Sequence, residues 1–180
     1  MKLEVFVNEN DYLKFNIFHM LRSPYGEKLI KKMRILLAAI FLIGALAILV
    51  LLNFKTPSSI GASVLVIIMI VFQLFYKKSI VLNLKMTIKQ LKKKGKMAYA
   101  PYSTIEFKED SIVETTDTEI TEKKYSAVER ICVVENKYVY IYTNNVAAYI
   151  IPMGSFSGAE QFNEFLNVLK SINKEIKYYK

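Results

Sequence analysis

The sequence predicts a membrane α+β protein, in which a transmembrane helical hairpin precedes a small cytosolic antiparallel β domain that a C-terminal amphipathic helix closes. Two apolar runs without ionisable groups, at residues 35–54 and 60–76, predict the hairpin. Short stretches of alternating apolar and polar residues after residue 99 predict the strands. A helical stripe of apolar residues near the C-terminus predicts the closing helix.

The two apolar runs are long enough to cross a bilayer. As a helix, the stretch from Ile35 to Leu52 would span about 27 Å, close to the roughly 30 Å of the hydrocarbon core. Residues 55–59, "KTPSS", join the runs and are expected to form a short external loop. A signal peptide would begin nearer residue 1, and a buried pair of core helices would carry polar positions along one stripe. Length and the absence of charge favour the membrane hairpin.

Basic residues near the two apolar runs lie almost entirely at their outer ends, away from the connection between them. Five lie in the 15 residues before the first run, eight lie at residues 77–96 after the second, and Lys55 alone lies between the runs. Because Lys and Arg remain on the cytoplasmic side, the protein is predicted to be integral to the cell membrane with both termini cytoplasmic. An apolar stripe of Ile80, Leu84, Ile88 and Leu91 predicts that the lysine-rich segment continues the second helix. Its eight lysines are expected to contact anionic lipid headgroups: Lys77, Lys78, Lys85, Lys89, Lys92, Lys93, Lys94 and Lys96.

The uneven charge also bears on nucleic acid as a partner. The net charge is +9, and residues 77–96 contribute +8 of it, whereas residues 97–180 sum to −3. DNA would have to approach a like-charged membrane surface, and the C-terminal portion offers it no second basic patch. No nucleic-acid partner is therefore expected, and a nucleic-acid regulator is kept only as a reserve interpretation.

The N-terminal segment predicts a strand at residues 3–7 and a helix from Asp11 to Leu21. Asn8 or Asn10 could cap this helix, and "SPYG" is expected to break it. The strand lies on the same side of the membrane as the C-terminal domain, so it could join that sheet. His19 has no Cys, His or carboxylate at ligand spacing and is interpreted as a packing or interfacial residue.

The C-terminal domain is predicted to contain six short strands and one helix. The turn signals are Asp117-Thr118, Asn136-Lys137 and Asn144-Asn145, the last being tolerant of positive φ. Ser157 and Glu160 have capping-box spacing at the helix start. The strands are predicted at residues 102–107, 112–116, 119–125, 130–135, 138–143 and 146–152, and the helical stripe comprises Phe162, Phe165, Leu166, Leu169 and Ile172. The predicted segments of the chain are 1–34 (strand and amphipathic helix), 35–76 (hairpin), 77–96 (basic juxtamembrane helix) and 97–180 (β domain).

This layout resembles the YcxB-like family of bacterial membrane proteins. The resemblance rests on "NDYLKFNIFHM", the two apolar runs, and above all residues 125–166, with "YSAVERI", a Tyr-rich hairpin, "IP" and "EQFNEFL". It implies a C-terminal domain similar to bacterial pleckstrin-homology-like domains, and it implies no enzymatic activity. Many family members have Trp where Tyr125 stands. The first hairpin reads "FKEDSIV" and is net negative, so phosphoinositide binding is not expected there.

The search for chemistry favours a protein that is not an enzyme. No phosphate loop, GxSxG, HExxH or CxxC motif occurs, and no catalytic residue, cofactor or metal is predicted. Cys132 lies in an apolar strand and is interpreted as a packing thiol. Seven acids at turns and strand edges are interpreted as a solvated face: Glu106, Glu109, Asp110, Glu114, Asp117, Glu119 and Glu122.

One strand carries the candidate partner-binding face, because Tyr138, Tyr140 and Tyr142 project to the same side. They either close the sheet against the N-terminal strand or juxtamembrane helix, or they form a docking surface. The expected function is a non-enzymatic membrane protein that presents its domain to an unknown protein partner or to a second copy. The alternative is a membrane-bound enzyme or transport component of a larger complex.

Overall fold

The computed structural model describes residues 1–97, 99–172 and 174–180, with every side chain in these ranges except that of Ser58. Residues 1–16 and 88–180 form one compact unit, called the β unit below, and residues 17–87 form a second, called the helical unit. The helices are α1 (Glu9–Arg22), α2 (Pro24–Leu51), α3 (Thr56–Lys93) and α4 (Ala159–Ser171). The strands are β1 (Lys2–Phe6), β2 (Tyr102–Phe107), β3 (Ser111–Thr115), β4 (Ile120–Lys124), β5 (Arg130–Val134), β6 (Tyr138–Tyr142), β7 (Ala148–Pro152) and β8 (Ile176–Tyr179).

The β unit contains two four-stranded sheets. Sheet A has the order β1-β2-β3-β4, and sheet B has the order β7-β6-β5-β8. Strand β1 pairs antiparallel with β2, so that Leu3 lies opposite Ile105 and both are fully buried. The N-terminal strand therefore joins the C-terminal domain, a pairing that the sequence left open.

Strand β8 is the element that the sequence does not predict. It pairs in parallel with β5, with Ile131 opposite Ile176, whereas the other strand pairs are antiparallel. The strands of the predicted antiparallel β domain thus form two sheets, one of them mixed. The hydrogen bond from Glu135 N to Tyr179 O (2.7 Å) extends this pairing at the end of β5.

Helix α4 contributes aromatic and aliphatic residues to the core. Phe165 and Leu169 are fully buried, and the Phe165 ring lies 5.2 Å from that of Phe107 in an edge-to-face arrangement. The predicted capping box of Ser157 and Glu160 is wrong. The cap position is Gly158, so Gln161 occupies the third helical position, and its Oε1 accepts hydrogen bonds from the backbone N (2.6 Å) and Oγ (3.0 Å) of Ser157.

Two predicted turns differ in detail from those in the structure. Glu135 and Asn136 both have φ of 51°, and Lys137 N donates to Val134 O, which places the β5–β6 turn one residue earlier than predicted. In the β6–β7 turn, Asn144 does not use positive φ. Its side-chain Oδ1 instead accepts from Val146 N (2.9 Å) and from the following amide, forming an Asx turn.

The helical unit begins with a tight turn between α1 and α2. Ser23 caps α2, with its Oγ accepting from Gly26 N at 3.0 Å and donating to His19 O at 2.5 Å. A Cβ at Gly26 would lie 2.1 Å from His19 O, so the close approach of the two helices requires glycine. Helix α2 therefore starts at Pro24, well before the apolar run, because proline is favourable at the first helical position.

The connection between α2 and α3 is also displaced from its predicted position. It comprises residues 52–55, because α3 already begins at Thr56 with Pro57 in its first turn. Most of the loop predicted at residues 55–59 is thus the first turn of α3, since proline is favourable at the first positions of a helix. Asn53 and Phe54 make the reversal with φ of 52° and 56°. From Thr56, α3 runs without interruption through the lysine-rich segment to Lys93.

Candidate functional site

The surfaces of α2 and α3 are exposed and apolar. Each helix is long and apolar enough to cross a membrane, and only 6% of the most apolar 18-residue stretch of each is buried. A core helix of a soluble protein would be mostly buried. The exposed large side chains include Ile43 at 68% and Leu74 at 72%. This combination indicates insertion into a membrane.

A polar clamp joins α2 and α3 near one end of their apolar stretches. Arg34 Nε donates to Gln73 Oε1 at 2.7 Å, and Gln73 Nε2 donates to the Arg34 carbonyl at 3.1 Å. The Arg34 guanidinium also lies 4.2 Å from the centre of the Tyr76 ring. Gln73 therefore hydrogen-bonds across the helix pair, as expected for a packing role at the edge of the apolar region.

Small residues bring the same two helices close together. A Cβ at Gly44 would contact Leu65 at 3.6 Å, and one at Gly61 would contact Ile48 at 3.5 Å. Ala45 and Ala62 are buried. Packing of this kind stabilises helix pairs in lipid, where no hydrophobic driving force acts between the helices.

All eight lysines predicted to contact lipid are exposed, but one has a partner within the protein. Lys92 Nζ lies 2.6 Å from Glu9 Oε2 and forms an ion pair between the end of α3 and the start of α1. Lys94 and Lys96 follow the end of α3 rather than lying on it. The remaining lysines are distributed along the second half of the helix.

The candidate partner-binding face of tyrosines is not a surface in this structure. Tyr140 and Tyr142 are fully buried, and Tyr138 is half-buried. Residue Phe15 of α1 covers them, with its ring 5.2 Å from Tyr140 and 5.9 Å from Tyr142. The docking interpretation is corrected, because the tyrosines are packed, although α1 covers them rather than the N-terminal strand or the juxtamembrane helix.

Asp11 completes this cover with a polar contact. Tyr138 Oη donates to Asp11 Oδ1 at 2.9 Å, and Asp11 Oδ2 accepts from Asn8 N at 3.0 Å. Asn8 Oδ1 in turn accepts from the Asp11 and Asn10 amides, so Asn8 is the helix cap that the sequence predicts. Burial, followed by the hydrogen bond and charge of Asp11, raises the pKa of Tyr138 to about 12. One carboxylate thus ties the start of α1 to sheet B.

The residues considered for catalysis are placed as packing groups. Cys132 is fully buried, and burial raises its pKa to about 11, which keeps it a neutral thiol. His19 is buried and its ring stacks on Tyr25 at 5.8 Å. Among the described residues, no three or more His, Cys, Asp or Glu side chains are grouped so as to hold a metal ion.

Glu114 differs from the other six acids of the predicted solvated face. Those six are exposed, whereas Glu114 is half-buried. Strand alternation explains the difference, because Glu114 shares a face of β3 with the fully buried Ile112 and lies opposite Ile105. Burial raises the pKa of Glu114, a hydrogen bond from Ser103 lowers it, and the charge of Glu119 raises it.

Glu114 lines a cavity of about 520 Å³ in the β unit. Strand β7 contributes Tyr149 and Ile150 to its wall, and the β3–β4 turn contributes Asp117 and Glu119. Sequence reasoning missed this cavity, because the acidic neighbours of Glu114 along the chain conceal that its side chain faces inward. The cavity wall combines residues of both sheets, such as Glu114 and Tyr149. The sequence pattern does not show which residues of different sheets lie together.

An exposed apolar group lies on the other face of sheet A. Phe6 and Tyr102 are paired across β1 and β2, with ring centres 4.8 Å apart, and are 48% and 64% exposed. Ile120 on β4 is 73% exposed and reaches the same face through its pairing with Thr115. Strand β4 is the last strand of its sheet among the described residues.

These features define a membrane protein with two apolar helices. Its β unit has two sheets and is built from the chain segments that precede and follow the helix pair. Residues 107–169, from the end of β2 through most of α4, match the model of the family described as YcxB-like protein. This match confirms the family resemblance of the sequence and assigns the segment as a YcxB-like domain. No curated protein and no solved structure matches the chain.

Proposed function

We propose that the protein is integral to the cell membrane and holds a pleckstrin-homology-like domain at the cytoplasmic face for protein–protein interaction or self-assembly. The observation that carries the proposal is the pairing of β1 with β2. These strands lie on opposite sides of the two apolar helices in the chain, so a single compact unit contains both flanks of the hairpin. Both flanks must then lie on the same side of the membrane.

The distribution of basic residues supports the cytoplasm as that side. The flanks carry thirteen Lys and Arg near the apolar runs, against Lys55 alone in the connection. Translocation of such flanks is unfavourable, and the connection of residues 52–55 is short enough to cross. The pairing of β1 and the charge distribution are independent arguments for the same topology.

The exposed lysines support contact with anionic headgroups. Each lysine near such a surface contributes about 1 kcal/mol of attraction, and Lys92 contributes less because Glu9 neutralises it. The apolar helices already anchor the chain, so this attraction would orient the end of α3 rather than recruit the protein.

The outer face of sheet A supports a role in binding other proteins. Phe6, Tyr102 and Ile120 form its exposed apolar part, and aromatic residues are enriched in the interfaces between proteins. This surface takes the place of the tyrosine face of β6, which α1 covers.

Strand β4 favours self-assembly as the form of that interaction. Its outer edge offers backbone donors and acceptors to another strand. Glu119 and Glu122 precede Lys123 and Lys124 along the chain. If two copies of β4 paired antiparallel, the acidic half of each would face the basic half of the other.

Topology is tested by labelling introduced cysteines in intact cells with a membrane-impermeant maleimide. We expect Lys55→Cys to react in intact cells and Lys96→Cys to react only after permeabilisation. The native Cys132 is buried, so the unsubstituted chain is the control and should label weakly under both conditions. Reaction of Lys96→Cys in intact cells would contradict the cytoplasmic placement.

The interaction is tested by thiol cross-linking of Ile120→Cys in native membranes with a short bifunctional reagent. A product of twice the chain mass supports self-assembly, and a product of another defined mass supports a different partner. Glu160→Cys, at an exposed position on α4, is the matched control. Equal cross-linking of both variants, or of neither, would contradict an interaction through sheet A.

A further inference from the structure

The cavity of the β unit combines acidic groups with the phenol of Tyr149. Tyr149 is only 8% exposed, forms part of the cavity wall, and makes no hydrogen bond to any described residue. Burial and the nearby charge of Glu114 raise its pKa to about 12, so its hydroxyl stays protonated. The hydroxyl can therefore donate to or accept from water or a ligand that enters the cavity.

Strand register explains why Glu114 and Tyr149 share this cavity. Glu114 is on the face of β3 that carries the buried core residue Ile112. Tyr149 lies opposite Ile141, on the face of sheet B away from the tyrosines that α1 covers. The two side chains therefore come from core-facing sides of two different sheets, which is an unusual position for a carboxylate.

The acidic groups of the cavity have no basic counterpart in its wall. Glu114 is half-buried inside, while Asp117 and Glu119 are exposed on the adjoining turn. None of the described residues that line the cavity is Lys or Arg. The charge of Glu119 further opposes ionisation of Glu114. A cation in the cavity would offset both the burial of this carboxylate and the repulsion between the acids.

The remaining lining specifies what kind of cation fits. Val7 and Ile150 add buried apolar surface, which contacts carbon chains rather than hydrated ions. The acids are not grouped closely enough to hold a metal ion among the described residues. Acids that are spread around the cavity, with an aromatic ring and aliphatic surface between them, suit an extended organic cation.

We propose that this cavity binds an aliphatic ammonium cation, with Glu114 and Asp117 contacting its amino groups and Tyr149 hydrogen-bonding or stacking beside its carbon chain. The ammonium group comes either from a free polyamine or from a lysine side chain of a polypeptide. The proposal does not depend on the membrane topology or on the interaction through sheet A.

Calorimetric titration of the full chain in neutral detergent at low ionic strength tests the proposal, with spermidine as the probe. We expect saturable binding of one molecule, weakened roughly tenfold by Glu114→Gln, since a hydrogen bond between charged groups is typically worth that much. Tyr149→Phe should weaken binding severalfold. Asp117→Asn should do the same and, because Asp117 is exposed, is a second test that does not alter a buried side chain.

Glu160→Gln is the matched control, because it removes one exposed acid away from the cavity. Spermidine should bind this variant with unchanged affinity. An equal loss of affinity would show that binding depends on the overall charge of the protein and would overturn the proposal. Magnesium chloride replaces spermidine in a parallel titration. If magnesium binds as tightly and with the same dependence on Glu114, the site is inorganic and the proposal is also overturned.

A short lysine-containing peptide distinguishes the two sources of the ammonium group. Tighter binding of the peptide than of spermidine, with the same loss in Glu114→Gln, assigns the site to a polypeptide lysine. Tighter binding of spermidine assigns it to free polyamines. Binding of neither probe at millimolar concentration would refute the site.

Discussion

Leu3→Ala should destabilise the β unit as much as a substitution in the centre of the C-terminal domain. Leu3 is 1% exposed and lies opposite Ile105 in sheet A. The substitution removes apolar volume worth roughly 2.5 kcal/mol of transfer free energy, from about 0.8 kcal/mol per methylene. With the cavity that remains, we expect a loss of about 3 kcal/mol in the free energy of unfolding.

Urea unfolding of the full chain in detergent, followed by tyrosine fluorescence, measures this loss. Tyrosine is a suitable probe because the chain contains twelve tyrosines and no tryptophan. Glu4→Ala is the matched control, since Glu4 lies on the exposed side of the same strand, and it should change stability by less than about 0.5 kcal/mol. If Leu3→Ala is as mild as Glu4→Ala, the N-terminal strand is not part of the core and the reasoning fails.

Three further outcomes follow from individual contacts. Tyr138→Phe should cost about 1 kcal/mol by leaving Asp11 without its phenol donor. Because the pKa of Tyr138 is raised from 10.0 to about 12, its contribution is complete below pH 10 and is lost as the pH rises towards 12, so the alkaline slope of stability should be smaller in this variant. Gln73→Leu should weaken the helix pair by about 0.6 kcal/mol, measured by unfolding in mixed micelles, since it removes two hydrogen bonds to Arg34. Asn136→Ala should cost about 1 kcal/mol because of its positive φ, whereas Asn136→Gly should cost less, and equal costs would argue against the assigned turn.

The local sequence pattern was sufficient to predict an element where that element buries one face against its neighbours. The alternation of β1 and β2 and the stripe of Phe165 and Leu169 on α4 each identify their element, because burial on one side leaves a period in the sequence. The apolar runs are equally readable, since a membrane imposes length and excludes charge. The Asn8 cap is likewise local, as the side chain and its acceptor amides are three residues apart or fewer.

The features that the sequence did not reveal depend on contacts distant in the chain. Strand β8 contains "IKYY", in which little distinguishes a strand from a polar tail until β5 is available as a partner. The alternation of β6 predicted a tyrosine face but not that Phe15 would cover it. Glu114 looked solvated among its acidic neighbours, and only its register with Ile105 shows that it faces inward.

The central claim is that chain segments on both flanks of the apolar hairpin build one unit on one side of the membrane. The most direct test is disulfide formation between Glu4→Cys and Thr104→Cys in native membranes, because these residues are paired across β1 and β2. The hydrogen bond from Val7 N to Pro101 O places residues 4 and 104 at a non-hydrogen-bonded pair, where Cα atoms are about 4.5 Å apart and a disulfide fits. We predict an intramolecular disulfide in this variant and none between Glu4→Cys and Thr121→Cys, which are three strands apart. Failure of the first pair to cross-link, or equal cross-linking of both pairs, would contradict the account.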